Sequence, residues 1–529
     1  MTEVFARRAS GLVREATLTD TALFGIMNSA ACVAVWYYIE TSSYMFPGVN
    51  HIITFILTGI LTVFGFSMVW GILGAAMPRS GGSYVYNSRI IHPAIGTAVS
   101  FANAGFVMAA WIWVLAPWVA DPGIPVLAGA LGIPYEAIAW CTEPVGMYII
   151  STIVNLAGLI VVFAGLKKFF YIQRILIGWG LVAAVVTAIM FTINTPSSFV
   201  SKWDYLAQQY GALTWTETLA RARAEFGIPE TWNLISSLGA ILPLSAGIYG
   251  YVISFIGGEV KSPRRNIFLG NILCTVIMIL LTAWNTIALQ NIVGWDGLHA
   301  IAYIYNEWPE WYGFPFPPDP FNIACMLTDF NVVIGLILGL GFIFCIFMMI
   351  PFSYIAFSRG LFIWGMDRIG PSWFAEVHPK YHQPVKSFIL LFVIGQLGLL
   401  WYVVNPTILA LFSVGVMQFI SVFAVTALSC AIFPFVKKVR HIWNTSPHKE
   451  WKVFGIPYAT IAGVLTLIYV GILVWANFYS EGMAALNPIW TPIYVVVWIL
   501  GLLWYYLWKR KRAKEGIDVD MAFKQLSPE

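Results

Sequence analysis

Apolar residues recur along the chain in twelve stretches, each close to the length that a helix needs to cross a bilayer. They run approximately over 20–43, 51–76, 94–119, 145–165, 169–193, 233–257, 267–293, 332–358, 387–404, 407–436, 456–478 and 489–508. A helix rises 1.5 Å per residue, so about 20 residues cover roughly 30 Å of hydrocarbon. The alternating period of a membrane barrel strand is absent, and backbone groups in lipid must be satisfied within each segment. The pattern therefore predicts an all-α integral membrane protein with twelve transmembrane helices.

The polar positions orient these spans. With the N-terminus on the cytoplasmic side, 26 of the 29 Lys and Arg residues fall in cytoplasmic segments, and only Lys202, Arg221 and Arg223 lie outside. That asymmetry predicts an even number of spans and both termini cytoplasmic; the expected location is the plasma membrane. The first span follows Arg7, Arg8 and Arg14, is about twice a signal-peptide core, and is expected to stay uncleaved. The outer segments 120–144, 194–232 and 294–331 are long. The last, aromatic from Tyr303 to Phe321, reads as an ordered cap or as an interfacial aromatic belt, and Thr214 to Phe226 reads as a surface helix.

Composition removes whole classes of function. Charged residues make up 10% and hydrophobic ones 59%, with a mean hydropathy of +0.77, where about a quarter of an ordinary soluble chain is charged. A soluble enzyme and a nucleic-acid binder are excluded, and the formal charge of +4 builds no basic face. The seven histidines lie in loops or at span ends, so no haem or metal centre is expected within the membrane. The six cysteines have no metal-ligand spacing; Cys141 and Cys325 both fall in outer segments, where a disulfide between them is permitted. No span centre carries an evident charge, and no clustered catalytic group suggests an enzyme. No cofactor is expected.

Two interruptions stand out. Gly25-Ile26-Met27-Asn28-Ser29-Ala30-Ala31 breaks the first span and Pro243-Leu244-Ser245-Ala246-Gly247-Ile248-Tyr249-Gly250-Tyr251 the sixth. Transporters built from inverted repeats place broken helices at matching positions, with substrate held between them. Glycines also serve close packing in membrane helices, but a pair five spans apart favours binding. The chain then divides into a cytoplasmic N-terminus 1–19, a first five-helix repeat 20–193, an extracellular loop 194–232, a second five-helix repeat 233–436, a cytoplasmic loop 437–455, helices 11 and 12 over 456–508, and a cytoplasmic tail 509–529.

Three motifs carry a family resemblance. Gly258-Glu259-Val260-Lys261-Ser262-Pro263-Arg264-Arg265-Asn266-Ile267 resembles the segment after the sixth helix of amino acid permeases of the amino acid-polyamine-organocation (APC) superfamily. Met77-Pro78-Arg79-Ser80-Gly81-Gly82-Ser83-Tyr84-Val85-Tyr86 is similar to that family's loop after helix 2, and Ala356-Phe357-Ser358-Arg359-Gly360-Leu361-Phe362 with Met366-Asp367-Arg368 to its motif at the end of helix 8. The resemblance implies the LeuT-like 5+5 inverted-repeat fold plus two C-terminal helices, and a secondary transporter moving amino acids by alternating access. It places the breaks, and so the substrate, at Asn28, Ser29, Ala30 and Ala31 on helix 1 and at Ser245, Ala246, Gly247 and Tyr249 on helix 6. Asn103 on helix 3 and Tyr251 are further candidates to line the pocket. Arg79, Glu259, Lys261, Arg359 and Asp367 would form a cytoplasmic gate, and Ser353 on helix 8 an ion site if the coupling ion is Na+ and not H+.

The chain departs from the family in two places. Asn28, Ser29 and Ala30 stand where a denser run of glycines is usual. Ile248-Tyr249-Gly250-Tyr251 lacks the acid of the family's helix 6 pattern, which weakens the case for a cationic substrate such as a polyamine. The expected partners are a small solute, foremost an amino acid, and the lipid bilayer; a polyamine, nucleobase or amine transporter is the alternative, and a channel or receptor a more distant one.

Overall fold

The structure is a computed structural model, and it describes residues 11–405, 411–480, 488, 491–524 and 526. Arg7 and Arg8 lie outside the described residues. Among the described residues, twelve helices are long and apolar enough to cross a membrane: Leu18–Met45, His51–Ala76, Pro93–Ala130, Pro144–Phe163, Leu166–Ile193, Leu234–Phe255, Pro263–Val293, Val332–Met366, Val385–Val404, Ser413–Ile432, Tyr458–Tyr479 and Thr491–Lys514. They are spans 1 to 12 below, and outer and inner name the two ends of the bundle by the side that the charge pattern leads one to expect for each.

Burial separates centre from periphery. Spans 1 and 6 are 89% buried and span 3 is 78% buried, whereas span 12 is 17% buried. A span enclosed on all sides has no lipid-facing stripe, so the two interrupted helices form the axis of the bundle. Span 11 packs on spans 10 and 2, and span 12 on the start of span 3, as peripheral additions.

Span 3 extends beyond its expected end near 119. Asp121-Pro122-Gly123 reads as the entrance to a loop, yet the chain passes through a π-helical turn at Val119–Gly123 and resumes as the helix Ile124–Ala130. Tertiary packing makes this extension: a side chain at Gly339 of span 8 would lie 2.5 Å from Leu127, so the bare backbone there gives it a seat.

The outer segments are ordered. The surface helix forms at Trp215–Phe226, opened by a capping box between Thr214 and Glu217. Residues 294–331 fold into the helices Trp295–Glu307 and Pro320–Leu327 joined by an aromatic core. In that core Trp203 meets Trp215 and Phe314 with ring centroids 4.9 and 4.8 Å apart, and Tyr312, Phe314 and Phe321 are buried. These residues pack against one another as a cap over this end of the bundle.

The permitted disulfide is not formed: Cys141 and Cys325 are both free thiols. Cys325 is completely buried on Pro320–Leu327, which packs on spans 1, 5 and 8, while Cys141 sits on the short helix Ala139–Thr142 against span 4. Sharing a compartment did not bring the two side chains together.

Candidate functional site

Span 1 breaks at one residue. The inner half, Leu18–Ser29, ends and the outer half, Ala31–Met45, begins at Ala30, whose φ of 48° is left-handed and rare for a residue with a Cβ. The first amide bond of the outer half runs from Ala34 N–H to the Ala30 carbonyl at 2.9 Å, so the amides of Ala31, Cys32 and Val33 have no partner within the helix. The inner half presents the converse, its last carbonyls around Asn28 and Ser29. Opposed helix ends carry roughly half a unit charge each, positive at the amides and negative at the carbonyls.

Span 6 breaks beside it. Helical turns end at Ser245, the chain passes through Ala246 to Tyr249, and a 3-10 helix resumes at Gly250–Phe255. The two breaks touch: the Tyr249 amide donates to the Ser29 hydroxyl at 3.4 Å. A Cβ at Gly247 would lie 3.1 Å from the Cβ of Ala34, so glycine there lets span 6 approach span 1. The Ser245 hydroxyl donates to the Leu242 carbonyl at 2.6 Å.

Asn28 sits beside this junction, 1% exposed, with neither amide nitrogen nor oxygen hydrogen-bonded among the described residues. A buried carboxamide without partners costs about 1–3 kcal/mol, so such groups call for an explanation. Nearby, Tyr251 donates to Asn103 Oδ1 at 3.4 Å, joining span 6 to a π-helical stretch of span 3, Phe101–Val107. Tyr249 and Tyr251 pack on Phe419 of span 10, with centroids 5.4 and 5.8 Å away. The Ser353 hydroxyl donates to the Met349 carbonyl of its own helix at 2.9 Å, the bond of a packing serine.

The outer side is closed by an aromatic plug absent from the sequence reading. Trp36 meets Trp118 of span 3, Tyr305 of the cap and Phe342 of span 8 edge-on, with centroids 5.7, 5.9 and 5.6 Å apart. Four Trp, Tyr and Phe residues this far apart in sequence leave no local signal.

The inner side is closed by two buried ion pairs. Arg359 grips Glu259 at both ends, Nη2 to Oε1 at 2.7 Å and Nε to Oε2 at 3.0 Å, and also reaches Gln383 at 2.6 Å and Ser358 at 3.0 Å. Asp367 pairs instead with Arg89 at 2.7 Å and accepts from the Tyr84 hydroxyl at 2.8 Å. Arg79 and Lys261 join through the backbone. The loop Arg79–Gly82 zips onto the end of span 6, Gly81 N–H to Phe255 at 3.2 Å and Gly82 N–H to Ser254 at 3.1 Å, and Lys261 N–H bonds Ala16 at 2.9 Å. A third pair, Arg174 with Asp20 at 2.6 Å, ties span 5 to the start of span 1.

Tyr84, within the motif after helix 2, belongs to this closure, as do Arg89, Gln383 and Asp20, which lie outside the three motifs. Charge was the available signal: Arg89 was counted among the orientation residues, yet it is 2% exposed, too buried for that role alone. The tail adds a lid, with the Phe523 ring 5.1 Å from the Arg89 guanidinium and Lys509 pairing with Asp520 at 2.7 Å.

Among known proteins, the chain is similar to the methylthioribose transporter of Bacillus subtilis (strain 168), 24% identical over 298 residues, a match covering 54% of this chain and 54% of that protein. It is also similar to the chloroplastic cationic amino acid transporter 7 of Arabidopsis thaliana, 22% identical over 309 residues, covering 53% of this chain and 47% of that one. These matches thus take in about half the length of each relative. The family described as amino acid permease matches residues 19–503, nearly the whole chain. With twelve spans, paired helix breaks and the three inner motifs in place, this multi-pass membrane protein belongs to the amino acid permease family.

Proposed function

We propose that the protein is a secondary active transporter of the plasma membrane, with both termini cytoplasmic, that carries an amino acid by alternating access. The observation that carries this reading is the junction of the two breaks, where free helix ends and the unpaired carboxamide of Asn28 meet. Amides at Ala31 to Val33 suit a carboxylate and carbonyls near Asn28 and Ser29 suit an ammonium, so a zwitterion is held without a charged side chain. Trp36 outside and the Glu259–Arg359 and Arg89–Asp367 pairs inside are the two barriers whose alternate opening exposes the site.

A neutral hydroxylated solute is the second reading. It is favoured by the likeness to a methylthioribose transporter and by the two hydrogen-bonding ends of Asn28. Counterflow in proteoliposomes decides between them. Liposomes preloaded with each unlabelled amino acid, or with methylthioribose, should take up the labelled form of one class. Absence of counterflow for every solute refutes transport of these classes.

A further inference from the structure

Glu40 lies on the outer half of span 1, above Trp36. It is completely buried, and neither carboxyl oxygen has a hydrogen-bond donor among the described residues. Its backbone carbonyl accepts from Asn306 Nδ2 at 2.8 Å, which seats the cap helix Trp295–Glu307 on it. An ionised carboxylate enclosed without a partner costs several kcal/mol.

Among the described residues, the groups around it supply no positive charge. Asp319 is near enough for its charge to act on Glu40, and Tyr305 lies within the fields of Glu40, Asp319 and Asp121. Asp319 is satisfied as the cap of Pro320–Leu327, with Oδ1 accepting from Phe321 N–H at 2.9 Å and Asn322 N–H at 3.0 Å. Tyr312, 3% exposed and in the fields of both acids, has an unpaired hydroxyl among the described residues. His299 on the cap helix is locked neutral, Nε2 accepting from Gly48 N–H at 3.2 Å and Nδ1 donating to the Trp295 carbonyl at 3.0 Å. Spans 5, 7 and 8, which also pack on the outer half, carry their Lys and Arg residues only at inner ends, at Lys167, Lys168, Arg174, Arg264, Arg265 and Arg359. Among the described residues no three acid, His or Cys side chains are grouped to hold a metal.

We infer that Glu40 is a proton-binding site of the outer gate: the cap closes over Glu40 only after its carboxylate has taken a proton from the outer solution, and lifting the cap lets the O–H bond break and the proton return to water. Closure then consumes one outer proton, and a high outer pH holds the gate open. Burial also pushes the Asp319 carboxyl up to about 7, so it reinforces this direction from the cap side. The inference rests on the proposed role of the cap and Trp36 as the outer barrier.

Labelling from outside tests it. In proteoliposomes, with Cys141 and Cys325 replaced by Ser, a cysteine at Ser43, a buried neighbour on the same helix, is reacted with an impermeant maleimide over outer pH 5 to 9, relative to a cysteine at the exposed Tyr210. Relative labelling should rise severalfold with pH, the rise should persist in Asp319→Asn, and Glu40→Gln combined with Asp319→Asn should keep the site closed and flat across the range. A Glu40→Gln variant with the same pH response, or one open at every pH, overturns the inference. So does closure of the unmutated gate by sodium at constant pH, when sodium replaces N-methylglucamine, since the carboxylate would then hold a metal cation. Failure of counterflow with the pH-dependent labelling intact would refute transport and leave the proton site standing.

Discussion

Glu259 and Arg359, 100 residues apart in the chain, form a two-pronged ion pair with both side chains at most 1% exposed. One stands at the inner end of span 6 and the other near the inner end of span 8. Breaking a buried pair from one side costs about 3–5 kcal/mol, because it strands the remaining charge.

Glu259→Gln should therefore loosen the inner closure. The expected result is slower net transport, substrate affinity within a few fold of wild type, and faster labelling of inner-face cysteines. Unchanged rates would remove Glu259 from the gate. Arg89→Gln should act the same way through Asp367.

The tail should contribute to the same closure. Phe523→Ala removes the ring over Arg89, an interaction of about 0.5–2 kcal/mol. Inner-face labelling should rise modestly, by less than in Glu259→Gln. Equal labelling in wild type and variant would mean that the tail merely rests on the gate.

Orientation is checked at Asn444, an exposed residue at the end of the short helix Arg440–Asn444. A cysteine introduced there should resist impermeant reagents on intact cells and react after permeabilisation. Labelling from outside would invert the topology read from the charges.

Two cap residues titrate in opposite senses. Burial raises Asp319 from 3.8 to about 7, so its contribution to cap stability is full below pH 3.8 and lost as pH rises through about 7. Burial lowers His299 from 6.5 to about 4, so its contribution is full above pH 6.5 and lost as pH falls through about 4. Between these limits the slopes oppose each other. In hydrogen exchange of the Trp295–Glu307 helix in a Glu40→Gln background, where the carboxyl beneath the cap no longer titrates, Asp319→Asn should unmask protection that increases with pH from 4 to 6.5, and His299→Gln protection that decreases. Identical profiles in the two variants would contradict the assignment.

The spans, the breaks at Ala30 and after Ser245, and the places of Glu259 and Arg359 at one end of the bundle were legible because hydropathy, helix-breaking composition and motif all act locally; that these two pair with each other was not. The extension of span 3 past Asp121 was not, since it depends on Gly335 and Gly339 of a distant helix leaving room for it. The Trp36 plug and the Arg89–Asp367 pair escaped for the same reason: each residue is ordinary by itself, and only the fold assembles them. Cys141 and Cys325 show the converse, a pairing that sequence permits and packing refuses.

The central claim is that solute binds where spans 1 and 6 break. A steric probe at Gly247 would strike Ala34 and disturb the packing itself, so Asn28 is the better place to look. Removing its unpaired carboxamide in Asn28→Leu should leave the solute-free protein at least as stable as wild type. Thermal unfolding of both proteins, alone and with the solute identified by counterflow at about a hundredfold over its Kd, gives the answer, since binding at that excess stabilises by about 2.7 kcal/mol. The account predicts that wild type shows this stabilisation and that Asn28→Leu loses at least about half of it, a tenfold drop in affinity being about 1.4 kcal/mol. Undiminished stabilisation of Asn28→Leu would place the solute elsewhere.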